Sequence, residues 1–333
     1  MEDRKKDHID LAFSSRTDQS MVDNRFEYEP LLGTHQNKDI SFSLAGKKMT
    51  LPIWVSSMTG GTQRAGLINR NLAQACAEFG MGMGLGSCRI LLDSPEYFDD
   101  FNVRPIMGND VPLFANIGIC QLEQMLDDKS TDKLDELVHK LQADGMVVHI
   151  NPMQEAFQPE GDLLKTPAIE LLQQFIETTE LKLIVKEVGQ GFGKESLRQL
   201  LQMPFESIEF GALGGTNFSL VELNRSKPLA AEVYNPFIHI GHTADNMTLT
   251  INALLKDLNA RDVNVKSLII SGGISSLLDG YYLTQVSELP ALFGMGSAFL
   301  RHSMGKYDKL QEYVQNLSNG LQLANNFLRI KAD

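Results

Sequence analysis

The segment His149-Ile150-Asn151-Pro152-Met153-Gln154-Glu155 gathers an imidazole, two carboxamides and a carboxylate in one short stretch. It comes after an apolar run, Gly145-Met146-Val147-Val148, that reads as a buried strand. Side chains alternate along a strand, so His149 and Asn151 share one face. Pro152 cannot donate to a ladder and ends the strand, which leaves Gln154 and Glu155 in the loop beyond it. A strand built only for packing has no reason to end in these groups, so the pattern indicates a site.

Such a site needs a frame, and the frame is legible from about residue 52 onward. Short apolar runs at 52–58, 81–87, 111–118, 145–151, 182–189, 207–211, 266–271 and 291–295 read as strands. Helical patterns fall between most of them, for example at 66–79, 131–143, 166–179 and 195–202. This alternation predicts a parallel sheet. Eight strands in about 250 residues suit a closed α/β barrel of the (β/α)8 TIM type, with an open doubly wound sheet as the alternative. Residues 1–333 are expected to form one domain. Residues 1–51 make an N-terminal extension, and residues 212–250 a long insertion after strand 6. Residues 306–328 read as one long helix.

In such a barrel the carboxyl ends of the strands form the active face. Here every strand runs into glycine, amide, hydroxyl or charged residues, among them Ser57, Ser87, Asn116, Lys186, Thr216, Ser271 and Ser297. Gly272-Gly273 and Gly294/Gly296 lie at the ends of the last two strands. Each pair alone fits a tight turn. Together they match the place where such barrels grip phosphate on backbone N–H groups and a helix N-terminus. Lys186 interrupts an apolar strand, and burying an unpaired ammonium is costly. Either a carboxylate pairs with it, or it lies beside an anionic or electron-rich ligand such as a flavin edge. Arg89 reads as an anion contact or as a surface ion pair. Arg4, Lys5 and His8 have the composition of a solvated terminus.

The formal net charge of −12 argues against nucleic-acid or anionic-membrane binding. No apolar run approaches the roughly 20 residues that span a bilayer. The charged residues 2–7 lead into no apolar signal region. Cys76, Cys88 and Cys120 show no CxxC spacing, which predicts reduced thiols, no zinc site and a cytoplasmic protein.

These residues resemble the type 2, FMN-dependent isopentenyl-diphosphate isomerases. The resemblance is carried by Arg4-Lys5-x-x-His8, Met58-Thr59-Gly60-Gly61, Gly86-Ser87-x-Arg89 and Ala115-Asn116-Ile117-Gly118. It continues through the opening segment to Pro159-Glu160-Gly161-Asp162, then Val185-Lys186-Glu187-Val188-Gly189-x-Gly191, Gly214-Gly215-Thr216-Asn217-Phe218-Ser219 and Gly272-Gly273. It implies a (β/α)8 barrel that interconverts isopentenyl and dimethylallyl diphosphate with FMN, Mg2+ and NADPH as flavin reductant, and a tetrameric or octameric homo-oligomer. Carried over by position, Met58, Thr59, Ser87, Asn116, Lys186 and Thr216 would contact the flavin. Gly272, Gly273, Gly294 and Gly296 would hold its phosphate. Arg4, Lys5, His8, Arg89, His149 and Asn151 would meet the substrate diphosphate. Glu155 would hold Mg2+, and Gln154 would sit by the reacting carbons. Three positions depart from the family pattern: Cys88 replaces a glutamine, Ile240-Gly241-His242-Thr243 replaces Trp-Gly-x-x-Thr, and Ser275 replaces a common arginine. The competing readings are an FMN-dependent oxidoreductase of the 2-hydroxy-acid or dihydroorotate type on the same barrel, and a non-catalytic flavin-binding protein.

Overall fold

A computed structural model describes residues 2–57 and 60–331. Eight parallel strands close into a barrel: β1 (Ile53–Val55), β2 (Gly82–Gly84), β3 (Leu113–Gly118), β4 (Gly145–Ile150), β5 (Leu183–Glu187), β6 (Ser207–Glu209), β7 (Leu268–Ser271) and β8 (Ala291–Met295). β8 pairs back onto β1, which removes every free edge. Each predicted run contains its strand, and the order is sequential as a (β/α)8 barrel requires. The predicted helices are present as Gln63–Phe79, Asp132–Leu141, Ala168–Thr178, Lys194–Leu201 and the terminal Tyr307–Phe327. The first shows the local logic. Thr62 Oγ1 accepts from the Ala65 N–H at 3.2 Å, and Gly80 at φ 69° takes the left-handed conformation that ends the helix.

The barrel interior is built in two layers two residues apart. Trp54, Phe114, Val147, Ile184, Ile269 and Leu292 pack together as an apolar floor. Trp54 fits only because β2 offers glycine. A Cβ on Gly82 would lie 2.8 Å from the indole, and one on Gly84 3.2 Å from it. The floor is closed from below by a hairpin that the sequence did not reveal, Phe42–Leu44 paired with Lys47–Met49. Its strands are three residues each, too short to show alternation. Its two-residue turn places Ala45 at φ 54° and Gly46 at φ 84°, the pair of positive φ values a tight hairpin demands. Leu44, Ala45 and Met49 plug the barrel end. Lys47 ties the hairpin to the frame through Asp144 at 2.6 Å, and Asp144 also receives the buried Arg104 at 2.8 Å.

The N-terminal extension also contributes Phe26–Tyr28, which pairs antiparallel with Leu328–Ile330 as a two-stranded ribbon. The insertion at residues 212–250 is largely helical. It holds the helices Phe218–Arg225 and Pro228–Tyr234, a 3-10 turn at Asn235–His239 and the start of Ala244–Asp257. Each of the first two is too short to declare a helical period in the sequence. The first buries Leu223 against Phe157, the second stacks Tyr234 on the Phe157 ring at 5.1 Å, and Ile238 of the 3-10 turn joins the same cluster with Met153. The three cysteines are free and buried. Among the described residues no helix is long and apolar enough to cross a membrane.

Because Leu44 is 1% exposed in the plug, Leu44→Ala should cost about 2–5 kcal/mol of stability in denaturant titrations. A loss under about 0.5 kcal/mol, the scale of an ordinary surface change, would mean that the hairpin does not seal the barrel.

Candidate active site

Two residues beyond the apolar floor, the same inward-facing positions become Ser56, Asn116, His149, Lys186, Glu209, Ser271 and Gly294. Alternation along each strand dictates this change of layer. His149, Lys186 and Glu209 are register partners across β4, β5 and β6, and so form one row. Lys186 is buried, and its Nζ donates to the Glu187 carbonyl at 2.7 Å. No ion pair joins it to a carboxylate among the described residues. Lys186 lines a cavity. Glu209 is fully buried, accepting from Trp54 Nε1 at 3.2 Å and Ser271 Oγ at 3.3 Å.

His149 is held by the strand beside it. Asn116 Nδ2 donates to the Leu85 carbonyl at 2.9 Å, which turns Asn116 Oδ1 toward His149 Nδ1 at 2.8 Å. That orientation assigns the proton to Nδ1 and leaves the Nε2 lone pair free. Burial first, and the Lys186 charge second, push the imidazole pKa down to about 3, so the ring is neutral.

Pro152 does end β4, but the next element is a helix rather than a loop, Pro152–Phe157. Proline at the first helical position has its φ already set and lacks only an N–H that the helix would leave unpaired. One helical turn brings three groups together. Asn151 Nδ2 donates to Glu155 Oε1 at 2.9 Å and to Gln154 Oε1 at 3.3 Å. Gln154 Nε2 points the other way, to Glu222 Oε1 at 3.4 Å. Glu222 is a buried carboxylate on the insertion helix Phe218–Arg225, and sequence reasoning missed it. Its one signal was an acid between apolar neighbours, Val221 and Leu223. Glu155 Oε2 accepts the Asp162 N–H at 3.1 Å, which folds the Pro159–Asp162 segment back onto the helix. Arg89 makes an ion pair with Asp162 at 3.1 Å.

Beside this cluster lies a cavity of about 500 Å³ lined by Ser56, Ser57, Lys186, Glu209, Thr216 and the turns after β7 and β8. Gly272, Gly273, Gly294 and Gly296 all border it. Gly272 sits at φ 86°, and a Cβ there would lie 2.3 Å from the Ala212 nitrogen, so only glycine can hold this turn. The KEVGxG motif has a structural cause. Glu187 Oε2 accepts the N–H groups of Gly189, Gln190 and Gly191 at 2.8, 2.6 and 2.7 Å, which folds the turn that leads from Lys186.

The structure brings His149, Asn151, Gln154, Glu155, Asn116 and Lys186 to one end of the barrel. Ser87 and Asn116 do not border the 500 Å³ cavity, and Ser87 is exposed. Met58 and Thr59 lie outside the described residues. Arg4, Lys5 and His8 are not brought to the strand ends. They are exposed on the helix Glu2–Leu11, with no hydrogen bond or ion pair to other described residues. That helix has almost no apolar face with which to dock.

The cavity suits a planar, phosphate-bearing cofactor. Its size is that of an ordinary ligand pocket. Ser56 Oγ and Ser57 Oγ are buried on its wall without a partner among the described residues, and the glycine turns leave backbone room for an anion. Asn151 Oδ1 is buried and unpartnered as well. No cluster of three or more metal-ligating side chains exists among the described residues. Glu155 and Asn151 Oδ1 therefore do not form a closed cage. They fit a magnesium ion that arrives with water and phosphate oxygens.

No family model matches the chain. It is 31% identical to the isopentenyl-diphosphate delta-isomerase of Rickettsia typhi over 327 residues, 96% of this chain and 92% of that one. The enzyme of the same name from Rickettsia felis is also 31% identical, over 96% of this chain and 91% of its own. In fold, the chain is similar to the flavin-binding domain of baker's yeast flavocytochrome b2, at TM-score 0.61, 14% identity, and coverage of 90% of this chain and 71% of that one. It is likewise similar to a mandelate oxidase variant carrying a monooxide FMN adduct, at TM-score 0.57 and 14% identity, covering 93% and 88%.

His149 is expected to remain neutral in the folded protein from pH 8 down to about 5, with the proton on Nδ1, as read by 15N NMR of the ring. Its folded pKa of about 3 lies below the ordinary 6.5, so between those values the unfolded chain binds more protons. His149 thus lowers stability as pH falls through that window. An imidazolium signal at pH 6 would refute the assignment.

Proposed function

Because the chain belongs to the isopentenyl-diphosphate delta-isomerase family, we propose that it performs the isomerisation at the barrel mouth with FMN in the glycine-lined cavity and Mg2+ at Glu155. The carrying observation is the layer of buried polar groups around Lys186, with Ser56, Ser57 and Asn151 Oδ1 unpartnered beside it.

The reaction moves a double bond by one position. A proton is added at one carbon and another is lost two carbons away, with no net redox change. Protonating the alkene builds a tertiary carbocation, and that charge sets the barrier. Reduced FMN, when bound, would supply an electron-rich face and a proton donor–acceptor at close range. Mg2+, when bound, would neutralise diphosphate oxygens. NADPH is the proposed reductant.

The chain's own residues orient and exclude. Lys186 supplies a buried positive charge on the cavity wall, which favours an anionic partner there. The apolar floor below it keeps water from the reacting carbons. Gln154 has no useful pKa, so it orients rather than acts as a base. Its carboxamide is fixed at both ends, Oε1 by Asn151 and Nε2 by Glu222. Glu222 Oε1 accepts from that amide, and its other oxygen is paired with Arg225 at 2.9 Å. Glu155 and Asn151 offer oxygens to a metal carried by the diphosphate. The neutral His149 has a free Nε2, and to donate to a diphosphate it must first take up a proton. The Arg4, Lys5 and His8 arm would have to move from its exposed position to reach the same anion. The substrate is thus a small diphosphate, and we extend the reading to a homo-oligomer, supported by the exposed Leu229, Val233, Tyr234 and Phe237 on the insertion.

The first test is the visible spectrum of the purified protein before and after NADPH. Flavin bands that bleach, with isomerase activity only in the reduced, Mg2+-containing sample, are expected. Bleaching by a hydroxy-acid substrate without NADPH would indicate an oxidoreductase instead. Glu155→Gln should weaken Mg2+-dependent substrate binding by roughly tenfold or more while retaining flavin. An unchanged Mg2+ titration would remove Glu155 from the metal site. Calorimetry in buffers of different ionisation enthalpy should detect proton uptake near neutral pH when diphosphate binds, and none in His149→Asn.

A further inference from the structure

Arg25 is built into the turn that comes after the glycine pair. Its Nη1 donates to Asp279 Oδ1 at 2.8 Å, while Nε and Nη2 hold Asp23 at 2.9 and 2.7 Å. Asp279 uses its other oxygen on the turn itself. Oδ2 accepts the Ser275 N–H at 3.1 Å, the Ser276 N–H at 2.8 Å and the Ser275 hydroxyl at 2.7 Å. These serines come directly after Gly272-Gly273-Ile274. A second cavity, of about 290 Å³, is lined by Arg25 and Asp279 and shares Gly272, Gly273 and Ser275 with the main one. Arg25 therefore lies across one turn of backbone from the cofactor cavity.

The guanidinium is itself fixed from several sides. Its central carbon lies 5.4 Å from the Phe26 ring centre and 5.3 Å from that of Tyr282. The Arg25 carbonyl accepts the Lys331 N–H at 3.0 Å, extending the ribbon of Phe26–Tyr28 and Leu328–Ile330. Burial pushes the Asp279 carboxyl up, but hydrogen bonds from Ser275, Arg25 and Ser276 outweigh it and hold the group at about 2. Asp279 is thus an anion at neutral pH. It favours the N-terminus of the helix Leu277–Val286, but it also stands beside a turn read as a phosphate grip. Asp23 and Asp279 together carry −2, and Arg25 reduces that to −1.

We infer that Arg25 is a positioning residue for the phosphate end of the cofactor: acting through Asp279, it braces the Gly272–Ser276 turn and offsets carboxylate charge next to the incoming anion. The inference rests on the reading that FMN occupies the main cavity. It assigns to the N-terminal extension a role separate from that of the Arg4, Lys5 and His8 arm.

The test compares FMN with riboflavin, which has the ring and ribityl chain but no phosphate. Each is titrated by fluorescence into the flavin-stripped full chain. The wild type is expected to bind FMN more tightly than riboflavin. Arg25→Ala should weaken FMN by about tenfold, the scale of a charge-assisted hydrogen bond, and leave riboflavin within about twofold. Arg25→Lys keeps the charge but loses the fork, so it should lower the FMN preference by a smaller factor. Equal weakening of both ligands, or an unchanged preference in both variants, overturns the inference. A wild type that does not prefer FMN overturns the cofactor reading, and this assignment with it.

Discussion

Everything at the mouth depends on a parity rule: residues two apart on a strand face the same way. The floor of Trp54, Phe114, Val147, Ile184, Ile269 and Leu292 fixes which way each strand faces. Once those side chains are buried, Ser56, Asn116, His149, Lys186, Ser271 and Gly294 have no choice but to face the same interior. A slip of one residue on any strand would bury its polar residue among the helices and turn its floor residue outward. The stability of the core and the composition of the site are therefore one specification. The hairpin plug, Leu44 to Met49, belongs to it because it closes the floor that sets the parity.

A low-dielectric floor then governs the chemistry above it. Desolvation makes His149 neutral, and its neighbour Lys186 reinforces this. The Asn116 amide, fixed by the Leu85 carbonyl, selects which nitrogen keeps the proton. Desolvation also makes unpartnered polar atoms costly, which gives Ser56 Oγ, Ser57 Oγ and Asn151 Oδ1 their meaning. These three oxygens lack partners among the described residues, as Asn326 Oδ1 does elsewhere. Under the proposed function, a bound ligand would complete the three.

The loops are held by a recurring hydrogen-bond device. Glu187 gathers three N–H groups and folds the turn after β5. Glu155 folds the segment at Asp162, and Asp279 folds the turn after β7. In each case one carboxylate oxygen accepts backbone N–H groups that no strand or helix pairs. The insertion helices add a packed wall through Phe157, Leu223 and Ile238, and from that wall Glu222 reaches Gln154.

The sequence by itself determined the eight strands, their order and the cluster from His149 to Glu155. Apolar period, strand spacing and Pro152 are local signals, carried by neighbours in the chain. Tertiary structure alone decided the rest, because contacts between distant residues leave no local period. The hairpin plug and the insertion helices are too short to declare themselves, and packing creates them. Arg89 found Asp162 as a partner across 73 positions. Glu222 became a partner of Gln154 across 68 positions, and Arg25 of Asp279 across 254. The exposed position of Arg4, Lys5 and His8 agrees with their composition, which reads as a solvated terminus. Residue spacing determined what could converge, and the closure of the barrel decided what did.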